Sequence, residues 1–91
     1  MKYNINDKVM MKSFFGSIKP DGKIEDSENY WKLIGEYGKI IKVRNSPHPA
    51  FPDKGNQVLI QFDKNLNELG LEVHNKEKNA LWIFQSDITH T

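Results

Sequence analysis

The sequence predicts an all-β fold, a small and strongly bent five-stranded barrel, on three observations. Apolar residues alternate in short segments, and few windows hold a helical period for three turns. Those segments are separated by clusters of Gly, Pro, Asn and Asp, the residues that turns require. The 91 residues, 37% of them hydrophobic, suffice for one core and not for two, so residues 1–91 read as a single domain.

The first strand is expected over Asp7 to Lys12, with Val9 and Met11 facing inward. A long polar connection, Ser13 to Asn29, follows and contains the turn chemistry Lys19-Pro20-Asp21-Gly22-Lys23. Gly38 to Arg44 is the second strand, with Gly35 and Gly38 at its start marking a tight bend or a close backbone approach. The third, Gln57 to Phe62, turns Val58, Ile60 and Phe62 inward and its two Gln outward. Between them, Asn45 to Asn56 carries Pro47, Pro49 and Pro52, which excludes regular structure and predicts a projecting loop.

Asp63 to Gly70 is expected to form one helical turn, capped by Asp63 and stopped by Gly70. The fourth strand is Ala80 to Phe84, where either Leu81 and Ile83 or Trp82 and Phe84 face the core. Gln85-Ser86-Asp87 then predicts a single 3₁₀ turn, and Ile88 to His90 a short closing strand. Trp31, in the segment leading to the second strand, is expected in the core.

Composition removes several function classes. The absence of cysteine excludes disulfides, thiolate metal sites and cysteine nucleophiles. Thirteen basic against twelve acidic residues leave a net charge of +1, too little to advertise a polyanionic partner. The N-terminal residues lack the apolar stretch of a secretory signal, and no apolar run approaches the length needed to cross a bilayer, so a soluble cytoplasmic protein is the expectation. His48, His74 and His90 are scattered along the sequence with no second ligand of metal-site type at i+2, i+3 or i+4, so they read as solvated loop residues and no cofactor is expected. Ser46 near His48, or His74 with Glu72 or Lys76, is the most that can be written as a catalytic pair, and no enzyme activity is expected.

Three sets of residues bear on binding. In Ser46-Pro47-His48-Pro49-Ala50-Phe51-Pro52 a large aromatic sits on a restricted backbone, which suits Phe51 to anchor an interface or to cover an open barrel end. Trp82 is a second aromatic anchor if Leu81 and Ile83 face inward. Glu25, Asp26 and Glu28 gather negative charge on the first connection, suited to steering a basic partner. A basic strand face, Lys39, Lys42 and Arg44, offers the alternative of phosphate contacts, with Lys54, Lys64 and a stacking Tyr37 or Trp82 as supplements.

Ile34-Gly35-Glu36-Tyr37-Gly38-Lys39-Ile40-Ile41-Lys42-Val43, Val58 to Phe62 and Leu81 to Ile88 together resemble the SH3-like barrel superfamily, in particular its KOW-type members. The resemblance runs in outline from Asp7 to Thr89 and implies five strands with long first and second loops. A fainter one, over Tyr30 to Gly35, Gly70 to Asn75 and Asn79 to Ile83, is to small bacterial immunity proteins of the contact-dependent growth-inhibition kind. The expectation is therefore a non-enzymatic module that binds a protein partner, with occlusion of a toxin domain as the role the second resemblance implies. The alternative is a KOW-like nucleic-acid binder using Lys39, Lys42 and Arg44.

Overall fold

Five antiparallel strands in the computed structural model of the chain form one sheet; residues 3–20, 22–44, 50, 55–73 and 76–91 are described. They are β1 (Lys8–Met11), β2 (Tyr37–Val43), β3 (Gln57–Phe62), β4 (Ala80–Phe84) and β5 (Ile88–His90), in the spatial order β4-β3-β2-β1-β5. β3, β4 and β5 match their expected limits, and β1 and β2 shift by a residue at their ends. Short 3₁₀ turns occur at Asp26–Glu28, Tyr30–Leu33 and Gln85–Asp87, the last in the position expected before the closing strand.

The sheet is not a closed barrel: β4 and β5 are its two edges and are not paired with each other. They are nevertheless consecutive in sequence, joined only by Gln85–Asp87. Two opposite edges can be linked by three residues only if the sheet curls until they meet at one corner. The extents of 31 × 26 × 24 Å reflect that curl.

Inside the curl lie Val9, Met11, Ile40, Val58, Ile60, Phe62, Leu81, Ile83 and Ile88, each at most 7% exposed. Alternation along each strand puts them there. Leu33, Leu66, Leu71 and Tyr3, from the connections and the N-terminal segment, complete the cluster. Gly38 makes the tight curvature possible, since a Cβ there would sit 2.6 Å from Ile60 Cγ2 and 2.8 Å from the Gln61 carbonyl oxygen. A register shift between Ile40 and Lys42 adds a bulge on β2, which strengthens the bend.

The connection between β3 and β4 departs from its expected helical turn. Residues 66–70 form hydrogen-bonded turns, and Asn65, not Asp63, accepts from the Asn67 N–H at 3.0 Å. The Asp63 N–H donates to the Tyr37 carbonyl instead, which ties that end of the connection to β2. Gly70, at φ 76°, ends the turns as expected. Trp31 is another correction: it is half-buried in the Tyr30–Leu33 turn, and the core position there belongs to Leu33. With three residues per 3₁₀ turn, Tyr30 and Leu33 fall on one side against the core, and Trp31 is turned off it.

Candidate interaction surface on the first connection

Between β1 and β2 the chain makes a tight hairpin within the long connection expected to be polar and irregular. Phe14 and Ser17 exchange both backbone hydrogen bonds, at 2.9 and 3.1 Å, around Phe15 and Gly16. Both central residues have positive φ, 51° and 78°, the geometry of a two-residue turn whose twist matches antiparallel strands. Phe15 tolerates it poorly by itself. The Asp87 carboxylate compensates, accepting hydrogen bonds from the Phe15 N–H (3.0 Å), the Gly16 N–H (2.9 Å) and the Ser13 hydroxyl (2.6 Å). The Asp87 carbonyl also accepts from the Lys12 and Ser13 N–H groups. One buried residue, on the turn before β5, thus holds the whole hairpin.

The hairpin organises an aromatic row. Phe14 meets Phe15, Trp31 and Tyr30 at ring-centroid distances of 4.7, 4.8 and 5.6 Å, the first two edge-on. Phe15 also packs edge-on against Phe84 at 5.5 Å. Edge-to-face contacts of this kind contribute beyond area burial and fix ring orientation. The row is nevertheless open to solvent, with Phe15 39% exposed and Trp31 half-buried. Ile18, just beyond the hairpin, is 75% exposed. The Trp31 indole N–H donates to the Ser17 hydroxyl at 3.2 Å, so the ring is fixed by its polar edge.

On the same connection, Glu25, Asp26 and Glu28 are all exposed, at the start and within a 3₁₀ turn. Glu25 and Asp26 border an open hollow of about 520 Å³ with Lys23 and Ile24. The Glu72 N–H donates to the Ser27 carbonyl at 2.8 Å and the Tyr30 hydroxyl to the Glu72 carbonyl at 2.8 Å, so this stretch is fastened to the β3–β4 connection. Burial, and next the negative charges of Glu28 and Glu72, push the Tyr30 phenol above its usual pKa. Glu28 is the acid of this segment whose charge reaches Tyr30, so the aromatic row and the acidic segment meet there.

The other expected site residues are placed differently. Leu81 and Ile83 face the core, which turns Trp82 and Phe84 to the opposite face. Phe84 is nevertheless buried against Phe15, and Trp82 is half-covered, with the Arg44 guanidinium 4.1 Å above its ring. Trp82 and Phe84 therefore share the outer face without forming an exposed aromatic pair. Arg44 also donates to the Gln57 side chain, and Lys42 forms an ion pair with Glu77 at 3.5 Å. Of the three cations on and just after β2, only Lys39 has no such partner among the described residues. Phe51, His48, His74, Ser46 and Lys54 lie outside the described residues.

His90 is accounted for by its neighbours: Nε2 is 3.1 Å from an Asp7 carboxylate oxygen, and its ring stacks on Tyr3 at 4.4 Å. No group of three metal-capable His, Asp or Glu side chains occurs among the described residues, and none of their helices is long and apolar enough to cross a membrane.

Phe14, Phe15 and Ile18 are the residues that reading the sequence missed. Phe14-Phe15-Gly16 carries the signal, since Gly at the second central position permits the turn, but the polar composition of Ser13 to Asn29 as a whole masks it. Comparison of the chain with protein-family models, curated proteins and solved structures yields no match.

Proposed function

We propose that the chain is a non-enzymatic protein-binding module that acts by occluding a partner surface, in the manner of an inhibitor or immunity protein against a toxin domain. One observation carries this reading: an exposed, hydrogen-bonded aromatic hairpin and an exposed acidic segment share one connection and are joined through Tyr30. Aromatic rings already held in place lose little entropy on docking. Neighbouring carboxylates draw in a basic partner and reject an acidic one. The partner chemistry is therefore a surface with an apolar recess flanked by Lys or Arg. Phe15 and Trp31 fill the recess, and Glu25, Asp26 and Glu28 meet the cations. Phe51, on its proline-restricted segment, is an additional anchor in this proposal.

The test uses the product of the neighbouring open reading frame, co-expressed and then titrated with the purified chain. Phe15→Ala should weaken the complex by about tenfold or more, the scale of a central interface anchor. Reversing Glu25, Asp26 and Glu28 to Lys should slow association and remove its salt dependence. If both variants bind as the parent does, while charge reversal at Lys42 and Arg44 abolishes binding, the reading is wrong and the nucleic-acid alternative takes its place.

A further inference from the structure

β1 and β2 set two lysines face to face. Lys8 is the cross-strand partner of Lys39 in the antiparallel register. Side chains so opposed lie roughly 5 Å apart at Cβ, where like charges destabilise the pairing. Both residues are exposed, and among the described residues neither ammonium has a carboxylate at ion-pair distance. Uncompensated repulsion at the centre of a sheet is a feature that a bound anion relieves.

The surroundings are concave. Lys8, Lys39 and Asp63 border two hollows that share them as walls, one of about 280 Å³ with Tyr37, Gly38 and Thr91, and one of about 260 Å³ with Gln61, Phe62 and Asn79. Gly38 brings backbone without a side chain to the first hollow, and Tyr37 beside it is 52% exposed. In the second, the Asn79 carboxamide oxygen accepts from the Leu66 N–H at 3.2 Å, which leaves its NH₂ to donate. The Gln61 NH₂ donates to the Lys78 carbonyl at 3.1 Å, which leaves its oxygen to accept. Two ammonium groups against the single Asp63 carboxylate make the local balance positive.

We infer that these hollows bind the phosphate group of a small molecule between Lys8 and Lys39. The ammonium groups supply charge-assisted donors, and Asn79 adds a neutral one. Tyr37 offers a ring face on which a base can stack, and Asp63 and the Gln61 oxygen can accept from a hydroxyl or amino group of the ligand. This site shares no lining residue with the acidic connection and does not depend on the protein-binding reading. It also differs from the expected basic row, because Lys42 and Arg44 are engaged elsewhere and Lys8, on another strand, replaces them.

The test is a titration of isotopically labelled full chain with inorganic phosphate and with adenosine monophosphate at constant ionic strength, read by amide chemical shifts. Saturable shifts centred on Lys8, Lys39, Asp63 and Asn79 are expected. Lys8→Gln and Lys39→Gln should each weaken binding by about tenfold, the worth of one charge-assisted contact, while Lys42→Gln stays within about twofold. Neither lysine substitution should lower the melting temperature of the unliganded protein, and phosphate should raise that of the parent but not of the double variant. Tighter binding of the nucleotide that is lost in Tyr37→Ala identifies a nucleotide as the source of the phosphate; equal binding of both probes identifies the phosphate alone. Shifts that do not saturate, or that persist in the Lys8→Gln, Lys39→Gln double variant, overturn the proposal.

Discussion

Asp87 is the only charged side chain among the described residues that is buried, at 1% exposure. A carboxylate is withdrawn from water at large cost unless its oxygens are satisfied, and three donors from the first connection satisfy them. The same three bonds keep Phe15 in a backbone conformation it would otherwise avoid. Asp87→Ala strands the Phe15 and Gly16 N–H groups and the Ser13 hydroxyl, with an expected loss of about 2–4 kcal/mol. Asp87→Asn keeps one acceptor but turns an NH₂ toward a donor, so about 1–2 kcal/mol is expected. For a chain of this size each kcal/mol moves the melting temperature by roughly 4–8 °C, which calorimetry resolves. If Asp87 instead served only to fill space, the Asn variant would melt with the parent.

Among the elements, β2 is the middle strand of the curled sheet and pairs with both β1 and β3. Gly38 is opposite Val9 on one side and Phe62 on the other. The methyl group of Gly38→Ala meets Ile60 Cγ2 and the Gln61 carbonyl at distances no real Cβ adopts. The Ile60 side chain can yield, but the Gln61 carbonyl belongs to the β3 backbone and cannot move without disturbing a ladder. A destabilisation of about 3 kcal/mol is expected, read from denaturant unfolding as a lower midpoint with an unchanged slope. Alanine at Gly22 or Gly55 meets nothing within 4 Å, so any cost there comes from positive φ alone.

The strands were legible because alternation is a local property. β3 and β4 could be bounded to the residue, since Val58, Ile60, Leu81 and Ile83 repeat with period two between turn residues. Leu59 was not legible: it sits on the outer face yet is 1% exposed, opposite Trp82, and period two assigns it to solvent. Nor was the candidate surface, apart from its acids. The Phe14 to Ser17 hairpin depends on a carboxylate more than 70 residues away in sequence, and spacing within the hairpin does not disclose such a partner. For Trp82 the face could be reduced to two choices, but the cover that Arg44 provides is a cross-strand contact that composition cannot reveal.

At the scale of the whole molecule, a net charge of +1 means that general self-repulsion is small near neutral pH. The pH dependence of stability should then come from individual groups whose surroundings differ between the folded and unfolded chain. Asp7 governs the acid side. The Asn4 N–H donates to its carboxylate at 2.9 Å and His90 sits at 3.1 Å, and these, in that order, hold its pKa below 3.8. A depressed carboxylate stabilises the fold above its unfolded value and loses that contribution as pH falls through the folded one. The melting temperature should therefore fall as pH drops below about 4, and Asp7→Asn should flatten that limb by removing the titrating group. The N-terminal segment, linked to β5 through Asp7–His90, Tyr3–His90 and the Tyr3 hydroxyl on the Ile88 carbonyl, should loosen first, seen as faster amide exchange at Asp7 and Tyr3. Tyr30 governs the alkaline side with the opposite sign. Its raised pKa means that the protonated phenol is favoured in the folded chain, so its contribution is complete below pH 10.0 and is lost as pH rises through the folded value. Tyr30→Phe should remove that alkaline loss while costing about 1 kcal/mol at neutral pH for the missing bond to the Glu72 carbonyl. Glu28→Gln should move the Tyr30 phenolate absorbance transition to lower pH, because it removes one of the two charges that oppose ionisation. An unchanged transition would mean that the acidic segment does not reach Tyr30 electrostatically, and the coupling between aromatic row and acids on which the proposed partner surface depends would be absent.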